Sequence, residues 1–131
     1  MQLDLVSIIV DDYDPAIAWF TDVLGFALVE DVPSLTNDGR TKRWVVVRPP
    51  GAQTGFLLAK ADGDVQRAAI GAQFAGRVGL FLRVEDFEGT LARLREAGAE
   101  IIGAPREEAY GRVVVFRDRW GTKWDLLGPR P

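Results

Sequence analysis

The chain has 131 residues and a mass of 14.4 kDa, with 47% apolar and 27% charged residues, a balance that excludes an intrinsically disordered polymer and suits one compact domain. Sixteen Lys and Arg against nineteen Asp and Glu leave a net charge of −3, so no global positive field exists to gather nucleic acid. Histidine and cysteine are both absent, which removes disulfides, thiolate nucleophiles, Cys/His zinc sites, imidazole bases and Ser-His-Asp triads.

The first predicted element is a strand over Leu5–Val10, short, apolar and β-branched. It has no basic flank before it and no small-residue cleavage pattern after it, so it does not read as a signal peptide. No run approaches the ~20 apolar residues of a membrane helix, and a soluble, cytoplasmic protein is expected. Asp12 or Asp14 then caps a helix that accepts Pro15 in its first turn, presents Ile17, Phe20 and Leu24 on one face, and stops at Gly25. A short strand, a loop and a longer strand near 43–47 follow, and Pro49-Pro50-Gly51 turns the chain into a last strand around Phe56. Residues 61–76 read as a linker with room for one helical turn.

The order then repeats. Val10-Asp11-Asp12-Tyr13-Asp14 is matched by Val84-Glu85-Asp86-Phe87-Glu88, an offset of 74 that continues through Ile17/Leu91, Ala18/Ala92 and Phe20/Leu94. Asp86 is the predicted cap of the second helix, Leu91, Leu94 and Ala97 its buried face, and Gly98 its stop. Arg43-Trp44-Val45-Val46-Val47-Arg48 parallels Arg112-Val113-Val114-Val115-Phe116-Arg117 at offset 69, and carrying that offset forward sets Phe56 against Asp125. The expected organisation is a single α+β domain of two βαβββ modules, 1–60 and 77–128, joined by the linker.

Two paired βαβββ units in about this length resemble the vicinal oxygen chelate superfamily, which includes glyoxalase I, extradiol dioxygenases and the fosfomycin- and bleomycin-resistance proteins. The resemblance covers nearly the whole chain and is carried by residues 10–26 and by Val115-Phe116-Arg117-Asp118 followed by Gly121 and Trp124-Asp125-Leu126. The resemblance implies that the modules form a curved mixed sheet with a cleft, and in metal-using members of that superfamily four strand positions there supply His, Glu or Gln ligands. The resemblance places these at Leu5, Phe56, Gly79 and Asp125, a set that cannot hold a transition metal, and no cofactor is expected.

Strand alternation from Asp125 puts Lys123 and Leu127 beside it, Phe56 and Leu58 on the counterpart strand, Leu5, Ser7 and Ile9 on the first, and Arg77, Gly79, Phe81 and Arg83 on the fifth. The opposite face collects Val6, Ile8, Val10, Leu57, Val78, Leu80, Leu82, Trp124 and Leu126, a set suited to burial under the helices. Ser7, Trp44, Phe56, Phe81, Arg83, Tyr110, Lys123 and Asp125 are therefore the predicted ligand-binding residues, with Phe74 and Trp120 in bordering loops. Asp125 has three readings: an ion pair with Lys123 or Arg83, an anchor for a cationic ligand, or a general base with a raised pKa. Arg83 and Arg77 suit a carboxylate or phosphate. The favoured function is a metal-free small-molecule-binding protein, a homodimer holding an aromatic or amphipathic ligand. The alternatives are an enzyme of lyase, isomerase or dioxygenase type with a departed metal site, and an interaction module whose cleft is filled by core.

Overall fold

Each acidic run caps a helix in the computed structural model, which describes all 131 residues. The Asp12 carboxylate accepts from the Tyr13 N–H at the start of α1 (Tyr13–Ala18), and the Asp86 carboxylate accepts from the Gly89 N–H in the first turn of α3 (Phe87–Glu96). A π-helical turn, Trp19–Val23, extends α1 and buries Phe20. Ala97, expected on the buried face of α3, lies exposed at its C-cap, while Leu91 and Leu94 are buried.

The chain forms two compact units, residues 1–70 and 71–131. The first contains β1 (Leu5–Val10), β2 (Ala27–Leu35), β3 (Thr41–Arg48) and β4 (Gly55–Lys60) in the sheet order β1-β4-β3-β2, then the short α2 (Asp64–Ala69). The second contains β5 (Val78–Arg83), β6 (Ile101–Glu108), β7 (Gly111–Arg117) and β8 (Lys123–Gly128) in the equivalent order β5-β8-β7-β6. In both, the first and last strands run parallel and the other neighbours antiparallel, so the repeat read in the sequence is a repeat of topology.

One face of each sheet packs on its own helix. In the first unit Ile8, Val10, Val45, Val47 and Leu58 are buried with Phe20 and Phe26. In the second, Trp124 and Phe116 stack with ring centroids 5.6 Å apart among Leu91, Leu94 and Leu126. No helix is long and apolar enough to cross a membrane.

The two units differ where the last hairpin opens. The β7–β8 ladder runs through six partners, from Arg112/Gly128 to Arg117/Lys123, whereas β3 and β4 pair only at Val46/Leu57 and Val47/Phe56. Buried Tyr13 reaches β3 near this opening, its hydroxyl accepting from the Arg43 N–H at 3.2 Å beneath the Arg43 guanidinium. Tyr13→Phe is expected to leave that N–H without a protein partner and to cost about 1 kcal/mol in urea denaturation. Unchanged stability would show that water replaces the phenol at no cost.

Candidate functional site

The register of β8 is set at its entry. Asp118, 6% exposed, accepts from the Trp120 and Thr122 N–H groups, each at 3.0 Å, and from the Trp124 indole Nε1–H at 2.9 Å. One carboxylate thus closes the turn and holds the first buried ring of the next strand. With Trp124 turned to the helix side, alternation sends Lys123, Asp125 and Leu127 to the other face. There Asp125 lies in register with Phe81 of β5 and Val115 of β7, and Arg83 with Leu127. Arg106, in register with Val113, reaches the same face from β6 and is held by Glu108 at 3.0 Å.

Asp125 is half-buried, and it makes no ion pair and accepts no hydrogen bond. Burial pushes its carboxyl above the ordinary value of 3.8, while the charge of Arg106 draws it part of the way back. The ion pair with Lys123 or Arg83 that the sequence allowed is not formed, and those two cations also stand without partners. Phe81, directly beside Asp125, is 65% exposed.

Gly79, two residues before Phe81, has a ring against it instead of a side chain on it. A Cβ there would come within 2.1 Å of the Phe74 ring, so glycine is required for Phe74 to pack against β5. The sequence alone places Phe74 only in a bordering loop. The signal for its position was the pairing of an aromatic with a strand glycine five residues on.

In the first unit the expected face needs one correction. Phe56 is in register with Val6, and its ring lies 5.9 Å from that of Phe20 and 6.1 Å from that of Phe26, on the helix side. Leu58, buried at 0%, goes with it. The residue in register with Ser7, on the face away from the helix, is Leu57. The cause is a connection one residue longer: residues 49–54 join β3 to β4, and 118–122 join β7 to β8. Offset 69 holds for β3 and β7, falls to 68 for β4 and β8, and the slip of one exchanges the faces. Leu57 is thus the counterpart of Asp125.

Ser7 is exposed on that face of the first sheet, and Trp44 is half-buried beside Val32. Trp44, Leu57, Lys42, Lys60, Tyr13 and Asp62 are among the residues lining a cavity of about 770 Å³ where β3 and β4 part. Arg40, on its rim, is held between Asp38 and Asp62, at 3.1 and 2.7 Å. Tyr110 lies in the β6–β7 turn, 53% exposed.

With the register corrected, the four positions that the resemblance marks for metal ligands become Leu5, Leu57, Gly79 and Asp125. A divalent cation needs several donor atoms, and this set offers one carboxylate, so it does not fit a protein-held metal. Nowhere in the structure do three acidic side chains gather as a substitute set.

Two repeated units of this topology, with a polar and aromatic face on the side away from the helices, define a glyoxalase-type fold. The chain belongs to the Glyoxalase/Bleomycin resistance protein/Dioxygenase superfamily, whose family model matches residues 2–126. An uncharacterized protein of Shewanella frigidimarina is 42% identical over 123 residues, covering 93% of this chain and 89% of the relative. The crystal structure of UcmS2 is 29% identical with a TM-score of 0.76, covering 97% of each chain. TnmS3, described as an antibiotic binding protein from Streptomyces sp. CB03234, is 29% identical with a TM-score of 0.73, covering 98% of this chain and 96% of its own.

Proposed function

We propose that this protein binds a small aromatic or amphipathic molecule on the Asp125 face without a protein-held metal. The observation that carries this reading is the lone, half-buried carboxylate of Asp125 beside the exposed ring of Phe81. An ionisable group held partly out of water with no partner costs stability, and such groups concentrate where a ligand supplies the missing contact. The donor-poor ligand positions support the metal-free part of the reading, and the likeness to an antibiotic binding protein supports a small molecule as the ligand. The reading extends to a homodimer in the cytoplasm.

The test is elemental analysis of the untagged protein followed by calorimetric titration with three planar probes: proflavine, anthraquinone-2-sulfonate and 8-anilinonaphthalene-1-sulfonate. The expected result is less than a tenth of an equivalent of transition metal and saturable binding of at least one probe, unchanged by EDTA. A tightly held stoichiometric metal, or no binding of any probe, overturns the proposal. Chemical conversion of a bound probe would reassign Asp125 as a general base.

A further inference from the structure

The charges on the Asp125 face form an ordered row. Along β8, Lys123 precedes Asp125 by two residues on the same face, and on β5 Arg83 follows Phe81, the register partner of Asp125, by two. The order across the two strands is therefore cation, anion, cation. None of the three is paired with another or with any other group in the chain. Arg106 and Arg117, the other cations that the register places on this face, are already engaged by Glu108 and Glu100. The ring of Phe81 stands open in the middle of the row, and the ring of Phe74 lies against Gly79 two residues before it.

A ligand bearing only a positive charge would satisfy Asp125 but stand between two uncompensated cations. One bearing only a negative charge would satisfy the cations but stand against the Asp125 carboxylate. A ligand with both signs meets each group with its opposite. Resting on the binding reading above, we infer that the ligand of this face is an aromatic zwitterion, its protonated amine on Asp125, its acid group on the flanking Arg83 and Lys123, and its ring on Phe81.

The experiment uses a matched trio in calorimetric titration: 3-(2-naphthyl)alanine, the amine-only 2-(2-naphthyl)ethylamine and the acid-only 3-(2-naphthyl)propionate. The zwitterion is expected to bind at least tenfold more tightly than either analogue. Asp125→Asn should weaken the zwitterion at least tenfold and leave the acid-only analogue unchanged or tighter. Arg83→Gln with Lys123→Gln should weaken the zwitterion by a similar factor and spare the amine-only analogue. All these positions lie on the face away from the helices, and thermal melts of the variants establish that they fold. Equal binding of the zwitterion and either analogue, or loss of the zwitterion in neither variant, overturns the inference. If none of the trio binds while a planar probe does, the zwitterion falls and the binding function stands. If nothing in either panel binds, both fall.

Discussion

Asp118→Ala is expected to lower the stability of the protein by ~3 kcal/mol, a drop of roughly 10 °C in melting temperature for a chain of this size. The carboxylate serves three donors at once, the Trp120 and Thr122 N–H groups and the Trp124 indole, in surroundings where Trp124 is 2% and Thr122 5% exposed. Charge-assisted bonds contribute about 1.5–3 kcal/mol each, but those sharing one acceptor do not add, and burial exacts a return. That return is visible in the Asp118 carboxyl, which burial holds above its ordinary value although the hydrogen bonds from Trp124, Trp120 and Thr122 pull it down. Asp118→Asn should fall between alanine and the native residue, since an amide keeps one accepting oxygen but turns its NH₂ toward donors. Urea denaturation of the three proteins makes the comparison, and a native-like midpoint for Asp118→Ala would contradict the assignment. Because Asp118 holds the entry of β8, its loss should also weaken binding on the Asp125 face.

Asp125→Asn is expected to act in the opposite sense on stability while weakening the binding of ligands that carry a positive charge. Removing a partly desolvated, unpaired carboxylate should raise the melting temperature at pH 7 by about 2 °C, the shift given by roughly half a kcal/mol. Affinity for the cationic probe proflavine or for the zwitterion should fall at least tenfold. The pH dependence follows from the direction of the shift. A carboxyl raised in the folded state binds its proton there more readily than in the unfolded chain, so native stability recovers as pH falls through the raised value. The advantage of Asp125→Asn should therefore be full at neutral pH, shrink on acidification and disappear below the ordinary carboxylate value of 3.8. Thermal melts at pH 7 and pH 3.5 separate this from a structural role, in which Asn would destabilise at neutral pH. A stabilised variant with unchanged affinity would remove Asp125 from the site.

Local chemistry made much of the fold readable. Asp12 and Asp86 cap the helices because a short carboxylate reaches its own first-turn N–H groups, and that needs nothing beyond neighbouring residues. The period of two in Val6, Ile8 and Val10, and in Leu80, Leu82, Trp124 and Leu126, marked the helix-covered faces in the same way. Near-constant offsets between the halves then tied these pieces into one repeated topology.

The composition and order of residues by themselves determined the repeated βαβββ plan and the caps. Tertiary structure alone decided which face Phe56 and Leu57 occupy, because one extra residue in the 49–54 connection reverses every side chain after it and the strand itself is too apolar to object. It also decided that Tyr13 meets β3 near the point where the β3–β4 ladder ends, a contact made across thirty residues with no shared local pattern. The isolation of Asp125 belongs to the same class. A sequence shows that Lys123 and Arg83 are near enough to pair with it, but whether an ion pair closes depends on side-chain reach and desolvation in the assembled sheet, and here it does not.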